Sequence, residues 1–424
     1  MSSITNDLVL PRPGAEISPQ EPIPGPSEES FIEAFGALLP PAKFLKTAHG
    51  KVAYYETLPA VSERPIDHVL FVHGVQTPAL GMLPLTRALQ KSFPHAHLVL
   101  VDLWGHGLTD TPILPHEPSL FHQLIDDLLD HLQWSSVHLV GFSFGGATTV
   151  SYVVARPARV QSFTLVAPAG LLRFSEFTPE EQSYLRGGDE QRARKWILEF
   201  LEGGDLVVPH DWKERVANGD VVAEAVRHWQ MREHPGHLAS VVAVFRDGGA
   251  MDSHLQFSKV SQLGIPNLAV LGELDDLVSV QQLEEHGFKN VFVVSGAGHG
   301  VVRDKVDEVA ALIGDFWRRL VTVIENLAQF RDILQSHQNV IIDFWATWCG
   351  PCRMISPIFE KLSDSDAKVN VFFAKVDVDQ AEDVSQEYGI RAMPTFMAFQ
   401  NGEKVDEVLG ADPSKLERLI ASLS

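Results

Sequence analysis

Leu139-Val140-Gly141-Phe142-Ser143-Phe144-Gly145-Gly146-Ala147 decides how this chain is read. An apolar run from Val137 to Val140 enters it, and small residues suited to starting a packed helix leave it, so the stretch reads as strand, sharp turn, helix. Within it stands Gly-x-Ser-x-Gly. A side chain held at a strained strand-to-helix turn needs neighbours without a Cβ, because both backbones pass closely there. Ser143 then stands clear of the sheet. Its hydroxyl is a poor nucleophile alone, so a chemical role requires a His and an acid further along the chain. Without them, a chance Ser in a glycine-rich turn is the plainer account.

Working outward, Val69 to Val72 run into His73-Gly74-Val75-Gln76, and Leu98 to Val101 run into Asp102-Leu103-Trp104-Gly105-His106-Gly107. Phe163 to Val166, Leu268 to Leu271 and Val291 to Val294 repeat the rhythm. Apolar strands ending in Gly-rich loops, with helical lengths between them, predict a mostly parallel sheet of about eight strands buried on both faces. Phe44 to Thr47 and Val52 to Tyr55 flank His49-Gly50 as an antiparallel hairpin. The stretch from Val166 to Leu268 is too long for one crossover, which predicts a helical cap at about 172–256 over the carboxyl edge of the sheet. Val306, Val309, Ile313, Phe316 and Leu320 follow helical spacing and close the domain.

These residues resemble the α/β-hydrolase family over roughly residues 42 to 320. That family orders nucleophile, acid and base along the chain, and here Ser143 is followed by Gly272-Glu273-Leu274-Asp275 and then by Gly298-His299-Gly300. The resemblance implies Asp275 and His299 as partners of Ser143, with Glu273 and Asp276 as rival acids. It implies the N–H groups of Val75 and Phe144 as an oxyanion hole, and hydrolysis of a carboxylic ester or thioester in a small-molecule acyl substrate. Gly145-Gly146-Ala147 and Ala167-Pro168-Ala169-Gly170-Leu171 also resemble the carbon-carbon hydrolases of the family, which carry Trp after the catalytic His where this chain has Gly300. Perhydrolysis would use the same triad.

From Val321 a second pattern begins: a strand to Ile324, a helix from Asn326 to Ser336, and a strand from Val340 to Trp345 leading to Trp348-Cys349-Gly350-Pro351-Cys352. Two cysteines three apart at a helix start can close a small disulfide ring, and the helix N-terminus favours the thiolate on the first. A structural metal half-site would need two more soft ligands, and the chain holds 2 cysteines in all. This stretch resembles thioredoxin over about 321 to 424, with Asp343, Lys375, Met393-Pro394-Thr395, Gly402 and Gly410 at the family's positions. The resemblance implies that Cys349 attacks a target disulfide and Cys352 resolves it, supported by Asp343, Lys375 and Pro394. Trp348, Gly350, Pro351, Met393 and Gly410 then form a docking face. Implied partners are thioredoxin reductase and disulfide-containing proteins in trans. The chain is thus expected to be a bifunctional enzyme with no cofactor and no metal, unless one domain serves only as a docking module for the other.

Composition bounds the rest. The 424 residues suit two domains, expected at 31–320 and 321–424. A net charge of -21 opposes nucleic acid and anionic lipid as partners. No apolar run approaches the roughly 18 residues of a membrane helix. The two cysteines offer no disulfide framework and no hydrophobic signal segment follows Met1, so a reducing, cytoplasmic setting is expected. Pro11, Pro13, Pro19, Pro22, Pro24 and Pro26 lie among polar residues, which predicts a disordered tail over 1–30. His73 and His106 are read as loop-shaping hydrogen-bonders, and His234 and His237 as cap surface. Arg192, Arg194 and Lys195 either meet an acidic substrate or form a solvated helix face.

Overall fold

The computed structural model describes residues 8–16, 18–59, 68–94, 96–318, 320–363 and 371–423. It divides into two compact units, residues 1–311 and 312–424. That division falls inside the helix Val306–Arg318, ahead of the boundary at 320 expected from the sequence.

The first unit is built on eight strands: β1 (Lys43–Thr47), β2 (Gly50–Thr57), β3 (His68–Val72), β4 (His97–Val101), β5 (Val137–Phe142), β6 (Val160–Val166), β7 (Asn267–Gly272) and β8 (Val291–Val294). Their spatial order is β1-β2-β4-β3-β5-β6-β7-β8. The hairpin β1-β2 turns with Thr47 opposite Gly50, and β2 joins β4 antiparallel. Every other pairing is parallel. Because helices cover both faces, β5 is buried at every position, which is why its sequence is apolar but for His138, whose Nδ1 lies 2.8 Å from Ser162 Oγ. The parallel arrangement also brings the ends of β3, β5 and β7 to one edge, where their loops meet.

Between β6 and β7 lies the cap, with helices Pro179–Arg186, Glu190–Glu202, Trp212–Ala217, Ala223–Glu233 and His237–Asp247. An aromatic cluster holds it, with the Trp196 ring 5.4 Å from Phe177 and the Phe200 ring 5.4 Å from Phe245. Leu172 and Met251 form a bridge at its neck. The helix His254–Val260 packs instead on the helix Phe144–Ala155, with Phe257 and Val260 in the main core.

The Pro-rich stretch differs from the disordered tail expected of it. Residues 1–7 and 17 lie outside the described residues; of the others, residues 13–16 and 18–21 are exposed, while the parts on either side of them are docked. Leu10 is buried against Ala239 and Ala243 of the cap, and Arg12 bonds Asp247. Further on, Ile23 exchanges backbone bonds with Thr111 at 2.9 and 2.8 Å, and a helix Glu28–Phe35 buries Phe31 and Phe35. Composition alone misleads here: prolines suit an extended strap, and the surface it needs belongs to distant parts of the chain.

The second unit has β9 (Thr322–Ile324), β10 (Asn339–Trp345), β11 (Phe372–Asp377), β12 (Thr395–Gln400) and β13 (Glu403–Leu409), in the order β13-β12-β10-β11-β9. β10 and β11 are parallel, with Asp343 and Lys375 in register. Ile341, Phe359, Phe373, Phe396, Leu416 and Ile420 form its core. Asn326 caps the helix Leu327–Ser336, its side chain accepting from the Gln329 N–H at 3.0 Å.

Candidate active sites

β5 ends at Phe142 and a helix starts at Phe144, so Ser143 stands alone in the turn at φ 54° and ψ -120°. The flanking glycines are a steric requirement. A Cβ on Gly141 would lie 2.4 Å from the Gly145 carbonyl oxygen, and one on Gly145 would lie 2.0 Å from that of Val72. The unusual backbone is held from both sides: Ser143 N–H donates to Val166 O at 3.0 Å, and its carbonyl accepts from Gly146 at 2.8 Å and Ala169 at 2.9 Å.

Ser143 Oγ lies 2.9 Å from His299 Nε2, and His299 Nδ1 lies 3.1 Å from Asp275 Oδ2. The Asp275 side chain has no solvent exposure and that of His299 has 28%. The Leu277 N–H, at 3.0 Å, fixes the other oxygen of the carboxylate. The two rival acids lie elsewhere: Asp276 is exposed, and Glu273 accepts from Ser295 Oγ and Gly296 N–H. A hydroxyl, an imidazole and a buried carboxylate in line can pass a proton from the first to the second while the third holds the ring. Among the described residues, the N–H groups of Val75 and Phe144 have no hydrogen-bond partner. That of Phe144 is one of the N-terminal helix donors that no intrahelical carbonyl can reach.

Three residues that the sequence reading passed over shape this edge. Asp102, buried at the end of β4, accepts from Tyr55 OH at 2.8 Å and from the N–H groups of Ala79 and Leu108 at 2.9 and 3.0 Å. Burial raises its pKa to about 6. Gln230 of the cap accepts from Gly107 N–H at 2.7 Å and donates to Gln76 O at 2.5 Å, tying the cap to the loop that holds Val75. Arg303 lies one helical turn beyond His299, its guanidinium 5.3 Å from the Phe142 ring centroid. The order of motifs marks none of these, since each matters through a neighbour remote in sequence.

His73 and His106 are loop-shapers: His73 Nε2 accepts from Leu103 N–H at 2.9 Å, and His106 Nε2 from Gln76 N–H at 3.2 Å. An accepting ring nitrogen carries no proton, and burial favours that neutral form, lowering His73 to about 4. His234 and His237 correct the expectation of cap surface. Both are buried, His234 Nε2 2.8 Å from Thr109 O and His237 Nδ1 2.9 Å from Gly105 O, so they join the cap to the loop after β4. Helical spacing could not reveal which cap face points inward. Among the described residues no group of three His, Cys, Asp or Glu could hold a metal. Arg192 pairs with Asp189 and Lys195 with Glu199 on an exposed face, while Arg194 donates to the Leu8 carbonyl.

In the second unit Cys349 and Cys352 form a disulfide at the head of the helix Gly350–Ser363. Both are buried, and Cys352 N–H lies 3.2 Å from Cys349 Sγ. Around them pack Trp345, Ala346, Val378 and Met393. Asp343 is 1% exposed with Oδ1 unpartnered, and burial pushes its pKa up to about 7 against the pull of Lys375. The Lys375 ammonium itself pairs with Glu360 at 3.4 Å. Met393-Pro394 is a cis peptide, and Gly410 N–H donates to Pro394 O at 2.8 Å. Trp348 is 66% exposed, its indole N–H donating to Asp379 at 2.7 Å, and Pro351 is exposed beside it. Gly350, Met393 and Gly410 are half-buried.

The family described as alpha/beta hydrolase fold matches residues 67–219, and that described as Thioredoxin matches residues 321–422. A thioredoxin of Coprinus comatus is 56% identical over 101 residues, covering 24% of this chain and 95% of the relative. A thioredoxin of Malassezia sympodialis is 56% identical over 104 residues, covering 24% and 99%. Among solved structures, the enol-lactonase from Burkholderia xenovorans LB400 is 18% identical with a TM-score of 0.50, covering 65% of this chain and 99% of that one. At that identity the likeness is one of fold. Among the described residues no helix is long and apolar enough to cross a membrane.

Proposed function

We propose, for a chain that belongs to the thioredoxin family through its C-terminal domain and carries an α/β-hydrolase fold domain ahead of it, two separate chemistries: hydrolysis of carboxylic esters or thioesters, and reduction of protein disulfides. The first rests on one observation, the unbroken contact from Ser143 Oγ through His299 to buried Asp275. His299 takes the Ser143 proton as the hydroxyl attacks the acyl carbon. Asp275 holds the ring and stabilises the imidazolium, and the N–H groups of Val75 and Phe144 receive the oxyanion. Each such donor typically contributes about 3 kcal/mol to the barrier reduction. His299 then protonates the leaving group, and water repeats the sequence on the acyl-enzyme.

The second chemistry is supported by the Cys349–Cys352 pair and by buried Asp343 on the strand that leads to it. In the reduced form the Cys349 thiolate attacks a target disulfide, forming a mixed disulfide and releasing one target thiolate. Cys352 gives its proton toward Asp343 and attacks Cys349 Sγ, releasing the second target thiol. Two electrons pass to the target, and the Cys349–Cys352 disulfide is re-formed. Thioredoxin reductase returns it to the dithiol, which places the work in a reducing compartment such as the cytoplasm.

The test is an activity profile of the purified chain on acyl esters of varied length, thioesters and small amides. Ser143→Ala is expected to bring hydrolysis to background and to remove labelling by a fluorophosphonate probe, with insulin-disulfide reduction unchanged. Labelling that persists in Ser143→Ala rules out this nucleophile.

A further inference from the structure

The Arg303 guanidinium has a setting that the triad does not explain. Its Nη1 is shut off from solvent with no hydrogen-bond partner, and no ion pair to Arg303 exists among the described residues. The turn Val301–Asp304 that carries it packs on the 3-10 turn Ala79–Met82, just after the loop holding Val75. A Cβ on Gly81 would lie 3.6 Å from Nη1, which places the guanidinium against that turn. On its other side stands the Phe142 ring, 5.3 Å away, and the same ring lies 5.4 Å from the His299 ring. Phe142 precedes Ser143, so one aromatic ring separates this cation from the reacting groups.

The charged groups nearby make the cation no more comfortable. After burial, the largest influence is repulsion from Arg227 of the cap helix Ala223–Glu233, which Asp304 and Glu224 oppose, and the pKa falls to about 10. Arg227 itself is paired with Glu202. The Phe142 face offers a cation–π contact but accepts none of the in-plane hydrogen bonds of a guanidinium. Arg303 as a whole is half-buried, but the sealed, unpaired Nη1 edge of its charge costs stability, and such a cost persists where a ligand completes the pair. The planar fork of Arg matches a carboxylate, which takes two parallel hydrogen bonds from it.

We propose that Arg303 binds a carboxylate at the far end of the acyl substrate, so that the hydrolase domain acts on anionic substrates such as monoesters of dicarboxylic acids. This rests on the serine-hydrolase reading above. Arg303 is then a specificity-determining residue: it holds the end of the chain remote from the scissile bond, on the far side of the Phe142 ring.

The experiment compares kcat/KM for 4-nitrophenyl monoesters of succinate, glutarate and adipate with that for the corresponding uncharged methyl diesters. At the best chain length the wild type is expected to favour the anionic ester by about tenfold or more, the usual yield of a charge-assisted hydrogen-bonded pair. Arg303→Gln is expected to lose that preference, and Arg303→Lys to keep part of it. A second readout needs no turnover. Glutarate at millimolar concentration is expected to raise the melting temperature of the wild-type hydrolase domain and not that of Arg303→Gln, which without ligand melts higher than the wild type because an unpaired charge is gone. If neither ester is cleaved, the hydrolase reading falls and the glutarate measurement alone decides the carboxylate site. An anionic-to-neutral ratio equal in wild type and Arg303→Gln, or glutarate acting alike on both proteins, overturns the proposal.

Discussion

Asp275 Oδ2 lies 3.1 Å from His299 Nδ1 across a pair in which the carboxylate is sealed from water and the imidazole is not. The next residue, Asp276, faces solvent. An acid that fixes a ring tautomer must be both close and immobile, and only Asp275 meets both conditions. Asp275→Asn is therefore expected to cut kcat by about 10³- to 10⁴-fold with the fold intact, and Asp276→Asn by less than about threefold, since exposed substitutions away from the chemistry do little. The check is kcat on one good ester together with circular dichroism. The reverse ranking would move the acid by one residue.

The N-terminal strap ties cap elements to the core. Leu10 and Arg12 hold the helix His237–Asp247, and Ile23 pairs with Thr111 beside the loop after β4. Leu10→Ala removes a buried side chain and is expected to cost about 2–3 kcal/mol. That loss should be local, raising amide exchange in His237–Asp247 by about tenfold or more while the thioredoxin core is unchanged. Exchange in that helix equal to wild type would show that the strap carries no load.

Much of this was legible in the sequence, for reasons that differ by residue. Ser143, Asp275 and His299 each sit just past an apolar strand, so their places on the sheet edge follow from strand order, and the Cys349-Gly350-Pro351-Cys352 stretch declares itself by local spacing. The strap, Gln230, the inward turn of His234 and His237, and Arg303 were not legible. Each takes its meaning from a partner remote in sequence, as Gln230 does from Gln76 and Gly107, and no periodicity encodes such a pairing.

The two domains are expected to respond to acid in opposite directions. Burial lowers His73, His116, His138 and His234 to about 4 and His237 to about 3, against an unfolded value near 6.5. Between those values the unfolded chain binds more protons than the folded one, so hydrolase stability is lost as pH falls from about 6.5 to about 4. Asp102, raised to about 6, opposes this as a single group. In the thioredoxin domain Asp343, raised to about 7, makes the folded state bind more protons from about pH 7 down to its unfolded value near 4, so stability rises over that window. Calorimetry from pH 7 to pH 4.5 should resolve one transition that moves down by many degrees and one that does not. Two transitions falling in parallel would contradict the assignment.

A fused thioredoxin domain invites the idea that it switches its neighbour by thiol exchange, and the sequence forbids that route. The chain holds 2 cysteines, Cys349 and Cys352, and no cysteine precedes them. The hydrolase domain therefore offers no disulfide to reduce and no thiol to oxidise, so any electrons that Cys349 passes on go to another molecule. What remains possible in cis is a contact that differs between the oxidised and reduced forms, and such a contact can alter hydrolysis only by its differential free energy. With one good ester substrate, kcat/KM is expected to agree within about threefold among the oxidised protein, the reduced protein and the Cys349→Ser/Cys352→Ser variant, with the redox state verified by thiol alkylation. A difference beyond about tenfold, or about 1.4 kcal/mol of coupling, would show the thioredoxin domain to regulate its neighbour directly.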